Sequence, residues 1–157
     1  MDQNFDNVNT PQEIIDATIA KVKELMVKNY PSSIDFEDGT FAISSGSAQV
    51  MVVVRPFLGD EAAVEMISTV VSGANVNEEL MKFLLRKNAE LHFGAFGILF
   101  DDTITFAQAI SGGNLDETEF CNTLDAVSVL ADYYDDVIVE MAGGKKASEL
   151  SSDDLED

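Results

Sequence analysis

Hydrophobic residues near the start of the chain recur at the spacing of a helix. Between residues 14 and 26 the apolar positions fall three or four apart, which places one stripe of side chains toward a core. Thr10 suits the N-cap position, Pro11 the first helical position and Glu13 the third position of a capping box. Because Tyr30 and Pro31 end the pattern, the sequence predicts a first helix from Pro11 to about Tyr30.

After residue 34 the apolar positions alternate with polar ones, which is the period of a strand. Turn pairs such as Asp38-Gly39 and Gly59-Asp60 separate these stretches. Helical spacing returns near residue 77 and again near residue 116. The elements predicted after the first helix are strands at 34–37, 41–44, 48–57 and 62–71, a helix from 76 or 77 to about 91, strands at 95–100 and 103–110, and a helix from 116 or 118.

The order of these elements predicts the fold class. Strands grouped in hairpins between separate helices favour an α+β fold, with one mostly antiparallel sheet (a meander plus a hairpin) packed with three helices. A chain of 157 residues that is 46% hydrophobic is long and apolar enough for one core. We therefore expect a single domain at residues 11–143, with flexible acidic termini at residues 1–10 and 144–157.

The strand predicted at residues 48–57 is apolar on both of its faces. Successive side chains of a strand point to opposite sides of the sheet. One side carries Ala48, Val50, Val52 and Val54, and the other carries Met51, Val53 and Phe57, interrupted by Gln49 and Arg55. One layer of helices covers only one face of a sheet. The second face therefore requires a helix, a second subunit or a ligand, and the first of these alternatives is a three-layer core with the N-terminal helix across the far side.

The charge of the chain excludes several kinds of partner. Twenty-nine acidic residues against nine basic ones give a formal charge of −20, and no basic residue lies between Lys87 and Lys145. Nucleic acids and anionic lipid surfaces bind basic surfaces, so neither is an expected partner. The first ten residues carry two acids and no base, and the apolar stretches are too short for a membrane helix. We therefore expect a cytoplasmic protein without a membrane partner.

Residues with catalytic or metal-binding chemistry are sparse. The chain has one cysteine, Cys121, and one histidine, His92, and neither has a recognisable catalytic partner in the sequence. Residues 2–13 have the ligand spacing of a calcium-binding loop, but Asn7 replaces the glycine that the loop requires. Dinucleotide and phosphate-loop fingerprints do not occur. The sequence therefore predicts no catalytic, metal-binding or cofactor-binding residues, and a protein that is not an enzyme.

Two segments of the chain carry a recognisable pattern of core and turn residues. The first is Leu85-x-x-Asn88-x-x-Leu91-x-x-Gly94-x-Phe96, and the second joins Leu124-Asp125-x-Val127 to Ala131-Asp132-x-Tyr134-Asp135-Asp136. In these segments, and in the order of its elements from roughly Pro11 to Gly143, the chain resembles the bacterial YbjN family, which is similar in fold to type III secretion chaperones. The resemblance implies a small α+β domain, homodimeric as in secretion chaperones, that holds extended segments of other proteins.

The resemblance and the doubly apolar strands together lead to a functional expectation. We expect a non-enzymatic, chaperone-like or adaptor protein that binds a protein or peptide client through an apolar sheet face or groove. The residues expected at this surface are Met51, Val53, Phe57, Phe96, Ile98 and Phe100. The alternative is a small-molecule-sensing or regulatory domain, which would require an enclosed pocket with convergent polar groups.

Overall fold

In the computed structural model, which describes residues 10–150, three helices and seven strands follow one another along the chain. The helices are α1 (Gln12–Asn29), α2 (Glu78–Glu90) and α3 (Glu117–Ala142). The strands are β1 (Ile34–Asp35), β2 (Thr40–Ser45), β3 (Ala48–Phe57), β4 (Glu61–Ser72), β5 (Ala95–Ile98), β6 (Ile104–Ser111) and β7 (Lys145–Lys146). A 3₁₀ turn follows at Ala147–Glu149.

The strands form one open sheet in the order β1-β2-β3-β4-β6-β5. Each neighbouring pair is antiparallel, and Val52 of β3 lies opposite Met66 of β4. The short β7 pairs with the end of β4, beside this path. The sheet is thus a meander, β1 to β4, joined to the β5–β6 hairpin, which confirms the predicted α+β class.

α1 and α3 pack against the same face of the sheet. Val22 and Met26 of α1 and Phe120 of α3 are fully buried in one cluster with Val52 of β3. The two helices also contact each other, since the ring of Tyr30 lies edge-on to that of Phe120 at 6.5 Å between centroids. We call this side of the sheet the covered face. The three-layer alternative, with the N-terminal helix across the far side, does not occur.

Thr10 does not cap α1 as predicted. The residue before the helix is Pro11, which makes no side-chain capping bond. The Thr10 hydroxyl instead donates to the carbonyl oxygen of Glu61 at 2.7 Å and accepts the N–H of Phe57 at 3.1 Å. Local sequence could not show this outcome, because the competing partners belong to the β3–β4 hairpin, about fifty residues away.

The starts of the other two helices agree with the sequence. Asn77 precedes α2 and its side chain accepts the N–H of Leu80 at 2.9 Å. Asp116 precedes α3 and accepts the N–H of Glu119 at 2.9 Å. Each side chain satisfies one of the unpaired N–H groups of a first helical turn. The apolar stripe of α3 faces the core, with Tyr134 half-buried, and consists of Phe120, Leu124, Val127, Ala131, Tyr134 and Ile138.

The end of the chain departs from the prediction of a flexible segment beginning at residue 144. Two glycines with positive φ, Gly143 (73°) and Gly144 (96°), turn the chain out of α3. Lys146 then lies opposite Val71, and Lys145 opposite Ser72, in the β4–β7 pairing. The correction applies to residues 144–150, whose polar composition hides a strand that only tertiary pairing stabilises. Residues 1–9 and 151–157, also expected to be flexible, lie outside the described residues.

Candidate functional site

The face of the sheet opposite the helices carries a row of apolar side chains. Met51 lies opposite Ile67 in the β3–β4 pair, and Ile67 lies opposite Ala107 in the β4–β6 pair. The half-buried apolar residues that share this side are Ala42, Met51, Val53, Ala63, Ile67 and Ala107. We call this surface the open face. Among residues 10–150, none of the three helices packs on it.

Neighbouring residues of β3 show how different the two faces are. Val52 points to the covered face and is completely buried, whereas Val53 points to the open face and is only half-buried. Phe57 lies at the far end of the open face and keeps 49% of its surface exposed. Apolar side chains that remain only partly buried mark a place where a partner can dock.

Charged side chains share the open face with the apolar residues. Glu65 lies opposite Val53 and pairs with Arg55 of the open face, with 3.4 Å between Oε2 and Nε. Glu61 accepts the N–H of Ala62 at 2.9 Å and that of Gly113 at 2.7 Å. The hydrogen bond from Ala62, followed by those from Ser111 and Gly113, holds the pKa of Glu61 below its usual value. The open face therefore combines apolar residues with the Arg55–Glu65 ion pair and the Glu61 carboxylate.

The C-terminal residues partly cover one end of the open face. A cleft of about 630 Å³ lies there between the 3₁₀ turn and the β5–β6 turn. Met51, Thr69 and Leu99 line one side of it, and Ala147 and Leu150 line the other. Sequence reasoning did not find Ala147 or Leu150, since neither belongs to a periodic apolar pattern.

Three of the six residues predicted for a binding surface lie together. Met51, Val53 and Phe57 alternate along β3 and share the open face, as their spacing indicated. Ile67, which sequence reasoning did not single out, completes the centre of that surface. The alternation of Ala63, Glu65 and Ile67 in β4 was the signal that would have found it.

The other three predicted residues do not join this surface, so the expected grouping is wrong. Phe96 lies opposite Phe106 and points to the covered face, where its ring is edge-on to that of Tyr134 at 5.3 Å. Ile98 shares that side at the end of β5 and is 39% exposed, and Phe100 is fully exposed in the β5–β6 turn. The register of the β4–β6 pair determines on which face of the sheet each β5 side chain lies. The alternation of residues within β5 alone does not reveal this register.

The side chain of Asn88 closes the outer edge of the sheet at β5. Its Nδ2 donates to the carbonyl oxygen of Phe96 at 3.1 Å, and its Oδ1 accepts the N–H of Phe96 at 2.6 Å. The amide therefore takes the place of a neighbouring strand, which is one way of protecting a sheet edge from pairing. Asn88 and Phe96 belong to the motif that resembles the YbjN family, and this contact is the structural reason for their spacing.

The opposite edge of the sheet is only partly occupied. β1 pairs with β2 only at Phe41 and Ala42. The chain before β1 turns away from this edge, and the Ser33 N–H donates to the Tyr30 carbonyl oxygen at 2.9 Å in that turn. Beyond Ala42, a groove of about 510 Å³ lies beside the edge of β2, with α3 as its other wall. The wall residues on α3 are Asp125, Ser128 and Val129. We call this the β2-edge groove.

A polar cluster joins the β2–β3 turn to α3. Oδ1 of Asp132 accepts the Ser47 N–H at 2.6 Å and lies 2.8 Å from the Ser47 hydroxyl, which also contacts Asp135. These two bonds lower the pKa of Asp132. Among residues 10–150 there is no group of three or more His, Cys, Asp or Glu side chains that could hold a metal ion. The contacts of Asp132 with Ser47 connect the β2–β3 turn to α3.

Residues 10–150 form a small α+β domain with helices on one face of its sheet and an apolar surface on the other. The sequence model of one family, T3SS (YopN, CesT) and YbjN peptide-binding chaperone 1, matches residues 12–150. The chain belongs to this family, which confirms the predicted resemblance. The family is one of peptide-binding chaperones, and the prediction of a protein that is not an enzyme agrees with it.

One solved structure supports the same fold. A chain in the crystal structure of the ExsC–ExsE complex is similar to this protein with a TM-score of 0.59 and 18% sequence identity. The similarity covers 76% of this chain and 95% of that one. No curated protein matches the sequence. None of the helices within residues 10–150 is long and apolar enough to cross a membrane.

Proposed function

We propose that this protein holds extended segments of client proteins against the open face. The proposal rests on the contrast between two neighbouring residues of β3. Val52 is fully buried beneath the helices, whereas Val53 is half-buried on an apolar surface. Because the chain belongs to a peptide-binding chaperone family, a peptide segment is the partner proposed for that surface. An extended peptide can cover a flat sheet face with its alternate side chains.

Charge indicates which segments would bind. Glu61 and Glu65 border the apolar row, Asp101 lies at its cleft, and the whole chain has a formal charge of −20. A client segment in which apolar residues alternate with Lys or Arg would meet both features. Its association should slow as salt is added, because exposed charges steer the encounter.

The β2-edge groove is a second place for an extended segment. The outer side of β2 beyond Ala42 lies beside a vacant strand position, and Val129 on the facing helix is 62% exposed. A short client strand could add there through backbone hydrogen bonds. Both this groove and the cleft at the open face are open to solvent, which favours a polypeptide over the enclosed small molecule of a sensory domain.

The test places one negative charge on each surface in turn. Val53→Asp alters the open face, and Val129→Asp alters the β2-edge groove with the same change in net charge. Binding of a short fluorescent peptide in which Leu and Val alternate with Lys is measured for both variants, after circular dichroism has shown that they fold. We expect Val53→Asp to weaken binding about tenfold or more and Val129→Asp to leave it within a factor of about two. The reverse result would assign the client to the groove.

We also propose that the protein forms a homodimer through the side of α2. Met81 and Leu85 lie one turn apart on α2 and are 42% and 68% exposed. α2 packs beside β5 through Asn88, and Ile98 and Phe100 stand exposed at the end of that strand. Leu85→Glu should convert a particle of about 34 kDa to one of 17.0 kDa in light scattering, whereas a parent of 17.0 kDa at all concentrations would contradict the proposal.

A cytoplasmic location is proposed from the chaperone family alone. Fractionation of cells that produce the tagged chain would measure it, and recovery with the membrane pellet after a salt wash would contradict it.

A further inference from the structure

Residues 145–150, which we call the C-terminal strap, pass around the end of the sheet. Lys146 lies opposite Val71 in the β4–β7 pair, so successive strap residues point to opposite faces. The Lys146 side chain points toward α3, on the covered side. The residues that follow lie over the open side, where Ala147 and Leu150 form one wall of the cleft whose other wall includes Met51 and Thr69.

One lysine anchors the strap to the helices. The Lys146 ammonium contacts Asp136 and lies 3.7 Å from Oδ1 of Asp135. Asp135 is 1% exposed, and its Oδ1 has no hydrogen-bond partner. The Lys146 ammonium therefore places a positive charge beside a buried carboxylate. The other oxygen of Asp135 contacts the Ser47 hydroxyl. The Lys146 ammonium thus forms ion pairs with two neighbouring carboxylates of α3.

Backbone pairing and apolar burial contribute little to holding the strap. β7 contains two residues, and the 3₁₀ turn after it has no buried residue. Ala147 and Leu150 are half-buried rather than part of the core. Segments with short backbone pairing and little apolar burial are those that open locally without global unfolding.

We propose that the C-terminal strap is a displaceable cover that competes with the client for the Met51 end of the open face. This inference rests on the proposed function of that face. In the closed state Ala147 and Leu150 form one wall of the cleft beside Met51 and so restrict the space that a client side chain would enter. The apparent dissociation constant for the client then equals the intrinsic one divided by the fraction of molecules with an open strap. Releasing the strap therefore tightens binding without any new contact.

Two adjacent glycines provide a matched pair of variants. Both have positive φ, which is unfavourable for alanine, so each substitution strains the backbone in a similar way. A Cβ on Gly144 would lie 2.6 Å from a methyl carbon of Val71 and 2.7 Å from the carbonyl oxygen of Ser72. A Cβ on Gly143 would meet nothing within 4 Å. Gly144→Ala should push the strap away from β4, and Gly143→Ala should leave it in place.

In a second pair of variants, each substitution removes one lysine that forms an ion pair with α3. Lys146→Ala removes the anchor of the strap. Lys28→Ala removes an exposed ion pair, in which Nζ lies 2.9 Å from Oε2 of Glu117, far from the strap. Because the two variants have equal net charge, a difference in peptide binding between them does not come from long-range electrostatics.

The experiment measures strap release and client binding separately. Release is measured by amide hydrogen exchange of Val71 and Ser72 and by binding of an apolar fluorescent dye; binding is measured with the alternating Leu, Val and Lys peptide. We expect Gly144→Ala and Lys146→Ala to raise exchange and dye binding and to tighten peptide binding roughly three- to tenfold, with Gly143→Ala and Lys28→Ala close to the parent. Peptide affinity that stays unchanged after exchange has shown release would overturn the inference, as would exchange that does not rise.

The dye distinguishes failure of this inference from failure of the proposed function. If the peptide binds none of the variants while Gly144→Ala exposes more apolar surface to the dye than Gly143→Ala, the strap is a cover and the open face is not a client site. If the peptide binds every variant equally through Val53, the face is a client site and the strap is not its competitor.

Discussion

Val52 and Val53 are adjacent, chemically identical and in different environments. The covered face that contains Val52 joins Phe106, Phe120 and Ile138 in a sealed core. The open face that contains Val53 has the same kinds of side chain, but these are only partly buried. Apolar composition alone therefore does not separate the residues that hold the fold together from those available to a partner. The side of the sheet on which a residue lies separates them.

The two methionines at the centre of the sheet should show the largest difference between the faces. Met66 is completely buried on the covered face, and Met51 is half-buried on the open face. We expect Met66→Ala to lower the free energy of unfolding by about 2–5 kcal/mol, because it removes buried area and leaves a cavity. Met51→Ala should cost less than about 1 kcal/mol, since water already reaches that side chain.

Urea unfolding followed by circular dichroism measures both variants. Equal losses at the two positions would show that the open face is part of the core, and would remove the distinction on which the function rests.

A smaller effect is expected at the sheet edge. Asn88→Ala leaves the N–H and carbonyl oxygen of Phe96 without their partners at a partly buried position. We expect a loss of about 1–3 kcal/mol in the free energy of unfolding, since an unsatisfied backbone group carries its desolvation cost. Asn122, exposed on α3, gives a matched control in Asn122→Ala, which should cost under about 0.5 kcal/mol. Urea unfolding again measures the effect, and comparable losses in the two variants would show that Asn88 does not hold the edge.

The smallest effect concerns acid stability. The Ser47 N–H and hydroxyl lower the pKa of Asp132 in the folded state. A carboxylate with a depressed folded pKa contributes stability that is present above its unfolded pKa, near 4, and is lost as the pH falls through the folded value. We expect the parent to lose up to roughly 1 kcal/mol from this source on acidification below about pH 4. Asp132→Asn should lack that part of the loss.

Asp16→Asn is the control for this prediction, since Asp16 is exposed on α1 and bonds only the Gln12 side chain among the contacts described. Thermal melts across the acidic range compare the three proteins. Equal acid sensitivity of the parent and Asp132→Asn would contradict a contribution of the Asp132 carboxylate to stability above about pH 4.

Sequence reasoning predicted those parts of the fold that depend on local chemistry. Asn77 and Asp116 cap their helices because the bond closes within three residues, and β3 shows its two faces because alternation is a property of one strand. Thr10, Phe96 and the C-terminal strap were not predicted correctly. Each depends on a partner distant in the chain: the β3–β4 hairpin for Thr10, the β4–β6 register for Phe96, and the end of β4 for Lys146.

The candidate site divides in the same way. Met51, Val53 and Phe57 belong to one strand and could be grouped from spacing, whereas Ile67 and Ala107 join them only through the pairing of three strands. A binding surface that crosses a sheet is therefore only partly visible in one sequence.

The most direct test of the central claim is to map the bound peptide by NMR of the side-chain methyl groups. The alternating Leu, Val and Lys peptide is added to protein with labelled Met, Val and Ile methyl groups. We expect the signals of Met51, Val53 and Ile67 to shift with the peptide. The signals of Val52 and Met66 on the covered face and of Val129 in the β2-edge groove should stay in place. Shifts at Val129 with none at Met51, Val53 or Ile67 would contradict the claim that the open face holds the client.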